Sequence, residues 1–216
     1  MNSLVIGLTG GIGTGKSTAA SILKQHGADV IDVDQIGRNV LYEDNDARAK
    51  VIDHFGPSII DAGGGINRSA LAKIVFSSEE HLAALEAISH PAINQALETR
   101  IGEQRAPVII LDMAILVEKK LAYVGNSPMY HKVVVIESQL RLRLERLSVR
   151  GLSKKEAEER IAAQATDNER KNVADYLIDN NGTIEDLSKE VDKLWGIVEI
   201  WHSNHSNDCM DRESEY

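Results

Sequence analysis

Five short apolar runs punctuate the chain, and between them apolar residues recur at helical intervals. Residues 4–9 (LVIGLT), 29–34 (DVIDVD), 108–112 (VIILD), 132–137 (KVVVIE) and 176–179 (YLID) read as strands. The third and fourth are almost unbroken Val, Ile and Leu, as in parallel strands covered by helices on both faces. Residues 17–25, closed by His26-Gly27, read as a helix, so the first two strands and this helix make a βαβ unit and hence a parallel sheet. From Gln35 to Gln104 the patterning is almost wholly helical. Ala47, Val51 and Phe55 share one side of a helix over 46–55 that stops at Gly56-Pro57, and 58–65 is a polar, glycine-rich turn. Asn67 caps a helix through Val75, Ser77-Ser78-Glu79-Glu80 opens a longer one, and Pro91 interrupts or kinks it. An insert of about 70 residues between the second and third strands is too long for a crossover helix and reads as a substrate-binding subdomain.

Residues 138–150 form a basic helix, and Ser153-Lys154-Lys155-Glu156 is a capping box that opens another through Gln164. Thr183 caps the last helix, from Ile184 to about Trp201, with Leu187, Val191, Leu194, Val198 and Trp201 on one face. Residues 202–216 are polar and patternless, and disorder is expected there.

Composition narrows the setting. With 216 residues, 43% of them hydrophobic, one main domain with inserted subdomains can bury its own core. The lone Cys209 excludes a disulfide framework and points to a reducing compartment. The first apolar run is too short for a signal peptide or a membrane span, so a soluble cytoplasmic protein without a membrane partner is expected. A net charge of −9 argues against nucleic acid as the main partner, yet a few local Lys and Arg suffice for a small anionic ligand.

Such a ligand has an obvious place. Gly10-Gly11-Ile12-Gly13-Thr14-Gly15-Lys16-Ser17-Thr18 matches G-x-x-x-x-G-K-[ST], between a strand and a helix, where backbone N–H groups cradle nucleotide phosphates. Lys16 would reach the β- and γ-phosphates and Ser17 would ligate Mg²⁺. Ligands bind beyond the carboxyl ends of the strands in open α/β sheets, so Asp34 and Asp112 should converge on this loop. Asp34, just past the second strand, is the first choice for a general base, against a solvated capping carboxylate as the alternative. Asp32 points to the same side and either tunes Asp34 or lies outside the site. Asp112 fits an acidic position that holds Mg²⁺, and the absence of a following Glu disfavours a motor-type ATPase.

Arg143, Arg146 and Arg150 lie at i, i+3 and i+7 and share a helical face, either as a solvated surface or closing over a transferring phosphoryl group, with Gly151 as a hinge. His90, beside Pro91, either faces a ligand or is a satisfied structural histidine. His202 and His205 match a metal pair by spacing alone, and Trp195 and Trp201 read as packing residues.

Together these residues resemble the dephospho-coenzyme A kinases over nearly the whole chain, from Leu4 to about Trp195. The resemblance rests on Leu8-Thr9 followed by the glycine loop, Val30-Ile31-Asp32-Val33-Asp34 with Arg38, and His90-Pro91. Leu116-Val117-Glu118, Arg160-Ile161-Ala162-Ala163-Gln164 and Asp179-Asn180-Asn181-Gly182 complete it. It implies an α/β fold: a three-layer P-loop kinase core with a five-stranded parallel sheet (1–34, 105–137 and 166–201). It further implies a helical coenzyme A-binding insert (35–104), a small helical lid (138–165) and a tail (202–216). The implied reaction moves the ATP γ-phosphate to the ribose 3′-hydroxyl of dephospho-coenzyme A, with Mg²⁺ as cofactor. Asp34, Lys16 and Arg146 would be catalytic. ATP would meet Gly11, Gly13, Thr14, Gly15, Lys16, Ser17, Thr18, Arg146, Arg150 and Asn181, the last near adenine. The acceptor would meet Asp34, Arg38, His90 and Leu116, and the metal Ser17 and Asp112. A homo-oligomer is left open. Two departures stand out: Asp112-Met113-Ala114 where the family usually has a proline at the third position, and Arg150-Gly151 where it has Arg-Asp.

Two other readings compete. One is a P-loop kinase for another small alcohol or nucleotide. The other is a GTPase-like switch, supported by Asp61-Ala62-Gly63-Gly64 as D-x-x-G but opposed by the lack of any N-K-x-D.

Overall fold

The apolar runs set the middle layer of the computed structural model, which describes residues 3–119 and 121–213. Among the described residues seven strands form: β1 (Leu4–Thr9), β2 (Asp29–Asp32), β3 (Val108–Asp112), β4 (Tyr123–Val124), β5 (Ser127–Pro128), β6 (Lys132–Glu137) and β7 (Tyr176–Asp179). Five of them make a parallel sheet in the order β2-β3-β1-β6-β7, and β4 and β5 form a separate small hairpin that the patterning did not foresee. Every residue of the central β1 is buried, as a strand covered on both faces requires.

Side chains alternate across the sheet and build one core on each face. Leu4, Ile6 and Leu8 pack with Ala19 and Leu23 of α1 (Lys16–Gln25) and with Leu187, Val191 and Leu194 of α9 (Ile184–Glu213). On the other face, Val5, Ile109 and Leu111 meet Val33 and Val40 of α2 (Val33–Glu43) and Ile93 and Leu97 of α5 (Glu79–Glu103). Between β2 and β3 the chain is helical, as expected, adding α3 (Asn45–Phe55) and α4 (Arg68–Val75). These helices and a short 3₁₀ turn (Pro57–Ile59) enclose a small core of their own, built on Val51, Ile59, Ile66, Leu71 and Val75. The remaining helices are α6 (Leu140–Val149), α7 (Lys154–Ala162) and α8 (Asp167–Val173). None among the described residues is long and apolar enough to cross a membrane.

Four expectations need correction. The second strand ends at Asp32, not Asp34: the Asp32 carboxylate accepts the Gln35 N–H at 2.7 Å and caps α2, so Asp34 lies in that helix's first turn. Of the two readings of Pro91, interruption is overturned: α5 runs through it, with Ala92, Ile93 and Leu97 buried beyond it. The helix opened by Ser153 ends at Ala162, and a further helix, α8, follows under a Thr166–Glu169 capping box. Finally, 202–213 are not disordered but extend α9. The Trp201 ring lies 5.5 Å from Lys132 Nζ, and the His205 ring stands 4.2 Å from that of His131. Residues 214–216 of the expected tail lie outside the described residues.

Candidate active site

The phosphate loop connects β1 to α1 along the carboxyl edge of the sheet, and its shape follows from local chemistry. Gly15 caps α1 with φ 99°, a left-handed conformation costly for any residue with a Cβ. The Thr14 hydroxyl turns inward and donates to the Gly11 carbonyl at 2.8 Å, so the side chain stiffens the loop and leaves the backbone to face outward. Gly11, Gly13, Gly15, Lys16 and Ser17 line a cleft of about 280 Å³ with Ala114, Arg150 and Gln164. The α1 N-terminus opens onto the same loop, so its amides add to an anion-binding nest.

Charge is balanced within the cleft. Lys16 Nζ pairs with Asp112 Oδ1 at the end of β3, both side chains only 14% exposed. Asp34 lies beside them, its Oδ2 accepting the Ala114 N–H at 3.2 Å. Burial pushes the Asp34 carboxyl above the usual range, Lys16 and the Ala114 N–H pull it down, and the neighbouring Asp32 and Asp112 push it up again. A carboxylate held in this way is a better proton acceptor near neutral pH than a solvated one. Among the described residues, Ser17 brings a hydroxyl to the cleft lining, and Asp112 supplies a carboxylate to the neighbouring Lys16. Mg²⁺ usually takes one or two carboxylates and completes its shell from substrate phosphates and water, so this donor set fits it. Among the described residues, no group of three or more His, Cys, Asp or Glu could hold a metal alone, and the His202–His205 spacing builds no site.

The three arginines divide their work. Arg143 is buried, with Nε donating to the Ile12 carbonyl at 2.9 Å and Nη1 to Asp167 at 3.1 Å. Burial lowers its pKa and Asp167 opposes that shift. Arg146 donates to the carbonyls of Gly13 and Thr14 at 3.3 Å, to Ser138 Oγ at 3.1 Å and to the Asn180 carbonyl at 2.9 Å. Its guanidinium thus braces the back of the phosphate loop. Arg150 alone of the three lines the cleft.

On the acceptor side the expected residues scatter. Arg38, on α2, is half exposed and donates to Asp32 at 3.3 Å and to Gln35 at 2.9 Å. His90 is partly buried near Glu86 and Lys119, with burial lowering its pKa and Glu86 opposing. Leu116 is buried, and a Cβ on Gly7 would come within 2.6 Å of its Cδ1. Thr18 sits within α1, outside the cleft. Asn181 Oδ1 accepts the Gln139 N–H at 2.7 Å, joining the β7–α9 turn to the start of α6. Two residues quoted only as motif members hold the loop directly. Asn180 Nδ2 donates to the Thr14 carbonyl at 2.7 Å, and Gln164 Oε1 accepts the Ile12 N–H at 2.7 Å.

Comparison with known proteins agrees with this geometry. The sequence model of the dephospho-CoA kinase family matches residues 4–186. A dephospho-CoA kinase of Frankia casuarinae is 39% identical over 191 residues, covering 88% of this chain and 81% of that one. That of Corynebacterium glutamicum is 41% identical over 201 residues, 91% of this chain and 97% of the relative. The solved dephospho-CoA kinase from Campylobacter jejuni superposes with a TM-score of 0.66 at 26% identity, covering 93% of this chain and 98% of that one. Phosphate loop, parallel sheet and sequence thus agree, and the chain belongs to the dephospho-CoA kinase family.

Proposed function

We propose that the protein moves the γ-phosphoryl group of ATP to the ribose 3′-hydroxyl of dephospho-CoA, giving CoA and ADP. The observation that carries the reading is the placement of Asp34, hydrogen-bonded to Ala114 at the cleft edge and facing the Lys16–Asp112 pair. An acceptor hydroxyl docked against Asp34 would lie near Lys16, which serves the donor phosphates.

The loop amides and Lys16 receive the β- and γ-phosphates, and Lys16 leaves Asp112 to do so. Asp34 accepts the proton of the 3′-hydroxyl as its oxygen forms a bond to the γ-phosphorus, and the bond from that phosphorus to the β–γ bridging oxygen breaks. Arg150 offsets charge on the transferring oxygens. Ser17 and Asp112 would hold Mg²⁺, which when bound neutralises phosphate oxygens. The helical insert 35–104, carrying Arg38 and His90, serves the acceptor, and 138–165 act as a lid. A soluble, cytoplasmic enzyme with ATP and dephospho-CoA as its partners accords with the acidic composition.

Purified protein mixed with ATP and dephospho-CoA should release ADP and form CoA. ADP release that is indifferent to dephospho-CoA, but stimulated by another small alcohol, would favour the alternative acceptor.

A further inference from the structure

Two motif residues have no part in binding or proton transfer as derived so far: Glu118, after β3, and Gln164, after α7. The structure joins them. Glu118 Oε1 accepts the Ala165 N–H at 2.8 Å and Arg170 Nη2 at 3.0 Å, and Arg170 Nη1 donates back to the Ala165 carbonyl at 2.6 Å. Asp167 lies 3.5 Å from Arg170 Nη1 and 3.1 Å from Arg143 Nη1, so it bridges the two buried arginines. Arg143 in turn holds the Ile12 carbonyl at 2.9 Å and lies flat on Gly11, where a Cβ would come within 2.5 Å of its Nη2. Gln164, next to Ala165, holds the Ile12 N–H. Both backbone groups of one phosphate-loop residue are thereby tied to a segment that Glu118 ties to the loop after β3. That loop includes Ala114, the partner of Asp34.

We propose that Glu118, Arg170 and Gln164 are positioning residues: a clamp that sets the spacing between the donor loop at Ile12 and the acceptor wall at Ala114–Glu118. The inference rests on the kinase reading above. Stability is a weak explanation for the network. A buried ion pair often contributes little beyond a packed apolar pair, and here Glu118 Oε2 and Arg170 Nε are buried without a hydrogen-bond partner among the described residues. Geometry is the better one. An in-line transfer needs donor and acceptor held within a fraction of an ångström, and remote misplacement is expensive in rate.

The test compares wild type, Glu118→Gln, Gln164→Ala and the double variant, each assayed well below its melting temperature. Each single substitution should lower kcat about tenfold or more. The Kd for ATP alone, measured by equilibrium binding, should stay within about threefold, because the loop's other amides and Lys16 are untouched. The double variant should be little worse than the weaker single, since both break one clamp. Lower melting temperatures with unchanged kcat, or losses that multiply in the double variant, overturn the clamp. Gln164 lines the cleft, outside the core, so Gln164→Ala decides by itself if Glu118→Gln does not fold. Wild-type protein that releases no ADP on adding dephospho-CoA overturns the kinase reading and the clamp with it, a failure visible before any variant is made.

Discussion

Asp34 shows what burial does to a single carboxylate. Its folded-state pKa is raised, so its ionisation opposes folding: the stability it contributes is present below the unfolded value and is lost as pH rises through the folded one. As a base it must be ionised, so kcat should fall as pH drops through that same raised pKa. Asp34→Asn should therefore lower kcat about 10²-fold or more and raise the melting temperature at pH 7, the gain shrinking toward pH 3. A melting temperature that falls at pH 7 would refute the burial account. The arginines yield a matched pair of expectations. Arg150→Ala should lower kcat with little effect on melting. Arg146→Ala removes four hydrogen bonds to the loop and its surroundings and should cost about 1–3 kcal/mol in denaturant unfolding. Loop residues such as Lys16 and Ser17 are legible in sequence because their mechanism is written in consecutive positions. The split between Arg146 and Arg150 is not. Helical spacing puts them on one face, but only the packing of α6 on the loop decides which guanidinium meets backbone carbonyls.

Among the elements, β3 and β6 match their apolar runs residue for residue, since a strand buried on two faces is a nearly unbroken apolar run, and the edge strand β7 does so although Leu177 and Asp179 are exposed. Helix caps read equally well at Asn67, Ser78 and Ser153. α8 escaped notice although Thr166-Asp167-Asn168-Glu169 carries the same capping signature as Ser153-Lys154-Lys155-Glu156. It is seven residues long and its buried side chain is an arginine, so it has no apolar stripe to announce it. Thr166→Ala should destabilise the protein by about 1 kcal/mol in urea unfolding. A null effect would mean α8 is held by Arg170 alone. β2 misled for the opposite reason: Val33 continues the strand's apolar pattern, but the Asp32 cap had already started α2.

At the scale of the molecule, site and tail lie at opposite edges of the sheet. His131 precedes β6, at the amino ends of the parallel strands, whereas the phosphate loop follows the carboxyl end of β1. Removing 202–216 should therefore leave kcat within about twofold while lowering the melting temperature through the lost helix packing. The loss should be greater at pH 8 than at pH 5. Burial and His205 depress the His131 pKa, so the stability this histidine contributes is full above pH 6.5 and fades as acid protonates it. A truncated protein without activity would show that the two edges are coupled. The length of α9 was illegible because 202–213 carry few apolar residues, and what docks them includes rings from far along the chain, Trp201 on Lys132 and His205 on His131.

The Lys16–Asp112 pair has a consequence for how the site is probed. On the proposed reading, nucleotide binding there would be a counter-ion exchange: the ammonium would trade a carboxylate for phosphate oxygens, and the carboxylate would be released to serve a cation arriving with them. Asp112 would then serve both before and after the nucleotide binds. Replacing it raises the energy of the starting state, where Lys16 would be left largely buried without its partner, as well as that of the transition state. The rate loss of an Asp112 variant is thus a difference between two penalties. It understates what this carboxylate contributes, whereas Asp34, which is hydrogen-bonded to the Ala114 N–H and only flanks Lys16, is less subject to this cancellation.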